Sequence, residues 1–90
     1  MQSTKPLPHD LLTLVHKVAP AEARIVPLDW AYEAEDYNIA IVMPDGVTRE
    51  RTRQIEERLT DAVMDWDEAH GTYTITMVWQ QHEMDRAGAR

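Results

Sequence analysis

The residues best suited to chemistry gather where a turn meets a long helix. Asp45-Gly46-Val47-Thr48 is followed by Arg49, Arg51 and Arg53. Helix N-termini bind anions because their first amide N–H groups point outward and the dipole favours negative charge. Thr48, Arg49, Arg51 and Arg53 are therefore the candidate ligand-binding residues, for a phosphate or a nucleotide. Their spacing argues against a pocket, because alternate positions fan around a helix instead of converging. Glu50, Glu56 and Glu57 also stand within reach, with Arg53 and Glu57 at i, i+4. The loop lacks the several glycines and the Gly-Lys-Ser/Thr of a phosphate cradle.

Other reactive groups are dispersed. Asp65-Trp66-Asp67-Glu68-Ala69-His70 places its acids on a helix on either side of a core tryptophan, so they diverge where a hard cation needs converging oxygens. His9, His16, His70 and His82 show neither the i, i+4 nor the His-x-His spacing of a zinc site. The chain has no cysteine, and its one serine is Ser3. Glu33, Glu35 and Asp36 cluster at a hairpin tip, where exposure is expected to deny them the burial that tunes an acid or base. The expectation is no catalytic residue, no metal, no cofactor and no enzymatic activity.

Ninety residues make one domain with a thin core. Nine basic and sixteen acidic residues give a formal charge of −7, a field that repels phosphate backbones. Nucleic acid is thus an unsuitable partner, and no apolar run approaches the ~20 residues of a membrane span. Absence of cysteine fits a reducing compartment, so a soluble cytoplasmic protein is expected. The partner expected is another protein, or a second copy in a homodimer. Residues 1–8 read as a flexible arm, 9–82 as the domain, and 83–90 as a flexible tail.

The elements that must position these groups follow from periodicity. Leu11, Leu12, Leu14, Val15 and Val18 recur at helical spacing, and Pro20 ends the pattern. Val26, Leu28, Trp30 and Tyr32 alternate with polar residues and predict a strand, with Pro27 marking an edge or bulge. Tyr37, Ile39, Ile41 and Met43 predict a second strand after the Glu33–Asp36 connection. Pro44-Asp45-Gly46 is a turn, and Thr48 caps a helix running to about Ala69 with Gly71 just past its end. Its stripe Ile55, Leu59, Ala62, Val63, Trp66 faces a core. Tyr73, Ile75, Met77 and Trp79 alternate with threonines in a last strand.

The predicted fold is α+β: a single two-layer domain in the order α-β-β-α-β, with a three-stranded mixed sheet and two helices on one face. In this reading the helices cover the aromatic-rich set. Asn38, Ala40, Val42, Thr74, Thr76 and Val78 are left on an open face suited to dimerisation. The long helix carries arginines in its first turns and Asp61, Asp65, Asp67 and Glu68 in its last, against its own dipole. Asp61, Asp65, Glu68, Thr74, Thr76 and Val78 are accordingly the expected interaction surface of a small acidic, non-catalytic module.

One family likeness accompanies this reading. Asp36-Tyr37-Asn38 opens an apolar strand, a long helix follows, and Asp67-Glu68-Ala69-His70-Gly71 leads into the last strand. Across Ala23 to Met84 the chain thus distantly resembles the minimal nucleotidyltransferase domain of some toxin–antitoxin pairs. That family holds magnesium and nucleotide phosphates with a Gly-Ser pair, an Asp-x-Asp and often a third acid. Here Leu28-Asp29-Trp30 stands in place of Gly-Ser, and Asn38 in place of the second aspartate. The resemblance implies an inactive, antitoxin-like partner. At the level of topology alone, the order is similar to cytoplasmic domains of cation-efflux transporters and to BolA-like proteins.

Overall fold

The computed structural model describes residues 3–88. Helix α1 spans His9–Val18, strand β1 Arg24–Leu28, strand β2 Tyr37–Met43, helix α2 Arg49–His70, strand β3 Thr74–Gln80 and helix α3 Gln81–Gly88. The sheet order is β1-β2-β3, with β1 antiparallel and β3 parallel to the central β2. This is the expected two-layer α+β domain, with α3 added where a frayed tail was anticipated. Ala89 and Arg90, the end of that segment, lie outside the described residues, as do Met1 and Gln2 of the arm.

Local signals explain the helix ends. The Thr48 hydroxyl accepts from the Arg51 N–H at 3.1 Å, satisfying one otherwise orphaned donor of α2. At the other end Gly71 takes φ 66°, a left-handed conformation that costs glycine little, and its N–H closes on the Asp67 carbonyl. Gly46 likewise takes φ 95° in the β2–α2 turn, where its N–H donates to Gln80 Oε1 at 3.1 Å. The N-terminal arm is tied down too. Ser3 bridges Trp30, the Thr4 N–H donates to the Asp29 carbonyl, and the Lys5 N–H donates to the Asp36 carbonyl.

Every residue of β2 is buried. On one face Tyr37, Ile39, Ile41 and Met43 meet Leu11 and Val15 of α1 and Ile55, Leu59 and Val63 of α2. Trp66 links the two helices, its indole N–H donating to Asp10 Oδ2 at 3.1 Å while its ring lies edge-on to Tyr37.

The register corrects the expected faces. Tyr37 pairs with Thr74, Ile39 with Thr76 and Ile41 with Val78, while Ile41 also pairs with Ile25. Paired residues share a face, so Thr74, Thr76, Val78 and Ile25 lie on the helix side. The outer face instead groups Val26 and Leu28 with Asn38, Ala40 and Val42, and with Ile75, Met77 and Trp79. The semi-polar open face anticipated from sequence is thus an apolar one, and the most apolar half of β3 points away from α1 and α2.

Leu59 is 0% exposed at the centre of the helix–sheet contact. Leu59→Ala should destabilise the chain by about 2–5 kcal/mol, the range for a buried leucine truncated in a packed core. Urea unfolding followed by circular dichroism measures this as a lower midpoint at unchanged slope.

Candidate functional site

The four residues expected to bind an anion do not form a pocket. Thr48 is occupied as the α2 cap. Arg51 reaches Glu22 at 3.5 Å, and Arg53 bridges Glu50 at 2.8 Å and Glu57 at 3.0 Å. Arg51 and Arg53 line separate clefts, the former beside Gln54 and Arg58, the latter beside Thr60 and Asp61. Arg49 is exposed at the helix start. The fan anticipated from alternate spacing is what the helix shows.

The acidic stretch has a structural use that its composition did not reveal. Asp67 accepts from the Thr72 hydroxyl at 2.7 Å, the Thr74 hydroxyl at 2.8 Å and the Thr74 N–H at 2.9 Å. It thereby fastens the end of α2 to the start of β3. His70 stacks on Trp66 with ring centroids 3.8 Å apart, and His82 donates its backbone N–H to Asp45 Oδ1 at 2.9 Å. Among the described residues no group of three or more histidines and acids is arranged to hold a metal ion.

The β1–β2 connection is more ordered than a hairpin tip. Glu35 is only 3% exposed, which corrects its expected exposure. Its carboxylate accepts from the Tyr32 N–H at 2.9 Å and the Glu33 N–H at 2.7 Å, while Ala34 takes φ 67°. Burial pushes the Glu35 carboxyl upward, but donation from these backbone amides outweighs it and holds the group below its ordinary value. Beside it, the Tyr73 N–H and the Lys5 ammonium hold Asp36 below the usual carboxylate range. Tyr73 donates its hydroxyl to Glu33 Oε2 at 3.1 Å, an interaction that raises its pKa. These carboxylates lock a loop, and each already has its donor.

A further concave surface among the described residues lies along the free side of β3. A groove of about 600 Å³ runs between this strand and α2, lined by Thr60, Met64, Asp67, Glu68, Thr74 and Thr76 among others. It unites three of the expected interaction residues, Glu68, Thr74 and Thr76. Asp61 lies in the neighbouring cleft with Arg53, Asp65 is exposed on α2, and Val78 packs against the core. Sequence reasoning missed Thr60 and Met64. Their position four apart, beside a strand edge, was the available signal.

Comparison with protein-family models, with curated proteins and with solved structures gives no match for this chain.

The depressed carboxyls fix a sign for pH dependence. A group whose pKa falls on folding adds stability above its unfolded value, about 4.5 for Glu35 and 3.8 for Asp36, and loses it as pH drops through the folded value. Melting temperature should therefore fall between about pH 5 and 2. Glu35→Gln should flatten that acid limb while lowering the melting temperature at neutral pH, as differential scanning fluorimetry across pH would record.

Proposed function

We propose that this chain is a small acidic, non-catalytic protein-interaction module whose contact surface is the outer face of its sheet. The observation that carries the reading is the placement of Val26, Leu28, Ile75, Met77 and Trp79 on the face opposite α1 and α2. All five remain partly accessible. They flank Ala40 and Val42, which are 0% and 2% exposed beneath them. A contiguous apolar surface of this kind is costly in water and marks a contact site. Arg24 lies on this same face and donates to Gln81 Oε1 at 3.3 Å, at the end of the sheet where α3 leaves β3 and also contacts β2.

A polar side chain lies buried beneath the same face. Asn38 donates through Nδ2 to the Trp30 carbonyl at 3.0 Å, but its Oδ1 is buried without a partner. An orphaned buried acceptor costs about 1–3 kcal/mol. The non-catalytic part of the reading is supported by the carboxylates and arginines described above, which are engaged in caps, loop locks and ion pairs. The net charge of −7 favours a protein partner over nucleic acid.

Val26→Lys tests the surface. The side chain is half-buried on β1, where a lysine stem can lie along the sheet and carry its charge to water. Stability should change by no more than about 1–2 kcal/mol, while association through the outer face is lost. Size-exclusion chromatography of wild type and variant in cell extract, paired with thermal melts, reads both. In extract, an assembly enlarged equally for both proteins beyond what each purified chain forms alone would refute the proposed face.

A further inference from the structure

The two edges of the sheet are treated differently. On β1 the edge is blunted: the register turns the backbone of Pro27 outward, where it has no N–H to offer, and just past the strand the Asp29 carbonyl accepts the Thr4 N–H at 3.3 Å. On β3 no such device exists. From Thr72 to Gln80 the chain has no charged residue, no proline and no glycine.

The backbone shows which groups are free. The Tyr73 carbonyl accepts the Asp36 and Tyr37 N–H groups. With the parallel register, this turns the N–H and C=O groups of Tyr73, Ile75, Met77 and Trp79 toward β2. Those of Thr74, Thr76, Val78 and Gln80 point to the open edge. Two of these N–H groups are already taken, Thr74 by Asp67 Oδ2 at 2.9 Å and Gln80 by Glu83 Oε1 at 2.8 Å. Among the described residues, the outward N–H groups left on β3 are those of Thr76 and Val78, placed symmetrically about Met77.

We infer that a second copy of this chain pairs antiparallel with the free edge of β3, across a twofold axis at Met77. This goes beyond the outer-face reading: it gives the sheet edge a partner of its own and leaves the outer face free for the contact proposed above. Thr76 of each copy exchanges N–H···O=C bonds with the second copy's Val78, so every outward N–H of β3 acquires an acceptor. The carboxylates of Asp67 and Glu83 end the pairing at both sides. Met77 meets its own symmetry mate on the outer face, with Ile75 beside the second copy's Trp79, which are favourable cross-strand neighbours. The two sheets become one of six strands.

The same axis organises α2. From Thr74 to Met77 the strand rises about 10 Å, and from Asp67 back to Thr60 the helix covers about the same distance. Asp67 and Thr74 are bonded to each other, so the axis through Met77 passes close to Thr60. Thr60 and Met64 line the groove beside β3. Seven residues separate Thr60 from Arg53 on one side and from Asp67 on the other. Antiparallel copies of α2 therefore set the Arg49–Arg53 end of one against the Asp65–Glu68 end of the other. Charges that oppose the dipole within one chain are complementary between two.

The test uses the full chain in sedimentation and in hydrogen exchange read by NMR, from low micromolar to millimolar. A dimer of the 10.4 kDa chain is expected. The Thr76 and Val78 amides should exchange slowly at high concentration and rapidly on dilution, while those of Ile75 and Met77 stay slow throughout. Thr76→Pro removes one outward N–H and no bond to β2, and should weaken association about tenfold or more, whereas Val26→Lys leaves the dimer intact. If Thr76→Pro does not fold, the concentration dependence of the two wild-type amides decides alone. A wild-type monomer at millimolar concentration with both amides fast overturns the pairing and leaves the outer-face reading to its own test. A dimer lost with Val26→Lys but kept with Thr76→Pro overturns it in favour of face-to-face docking. Protection of the two amides that appears only with a different bound protein overturns it in favour of strand addition by that protein.

Discussion

The whole domain depends on β2, Tyr37–Met43, being removed from water on both faces. Its helix-side residues are covered by α1 and α2, and Ile39 and Ile41 are 0% exposed. The outer side has no second helical layer of that kind, yet Ala40 and Val42 are as dry. Val26 stands beside Ala40 on β1, Met77 and Trp79 stand beside Ala40 and Val42 on β3, and α3 contacts both β2 and β3. The consequence is a displaced cost. Burying the middle strand leaves the apolar surface of its neighbours partly in water, so the fold is completed inside and left open outside.

The first five elements were legible because existence depends on period, and period survives in a single sequence; α3, in a segment read as a tail, was not. Thr48 as cap, Gly71 as terminator and the Ile55–Leu59–Val63–Trp66 stripe all carry local chemistry that names their place. The faces of β1 and β3 were not legible, because alternation gives a period and no phase. Hydrophobicity alone would put Ile75, Met77 and Trp79 inside. The phase is set instead by long-range bonds: Asp67 holds Thr74, and the Tyr73 carbonyl takes two N–H groups from the start of β2. Asp67 is close to Thr74 in the chain, but nothing in a local window says that its carboxylate turns to that strand, and the start of β2 is far from β3 in sequence. Glu35 was misjudged for a related reason. A glutamate in a polar connection looks exposed until the turn at Ala34 brings the Tyr32 and Glu33 amides around it.

The reversed charges of α2 divide into two groups once the structure is in view. Asp67 opposes the dipole at a cost of a few tenths of a kcal/mol. It gains three hydrogen bonds, each worth about 0.5–1.5 kcal/mol net. The bonds win, and the position needs no ligand to account for it. Arg53 is offset in the same manner by Glu50 and Glu57. Asp61, Asp65, Glu68 and Arg49 have no such compensation inside the domain among the described contacts. They lie on or beside the face of α2 that borders the β3 groove or faces water, where only something outside the chain could balance them.

A bare, uncharged strand edge is a hazard in any soluble protein, since it templates pairing without limit. Here the hazard is bounded from both directions. Asp67 and Glu83 occupy the outward N–H groups at either end of β3, so what remains free is a short symmetric segment rather than an open ladder. At the opposite edge Pro27 breaks the row of donors and the Asp29 carbonyl is taken by Thr4, so a strand added at β3 finds no matching template at β1. Closure at one edge and a bounded opening at the other is the arrangement that permits a finite assembly and blocks a fibre. The requirement that β2 be buried fixes β3 as an edge strand, and the carboxylates at its ends decide how much of that edge a partner can use.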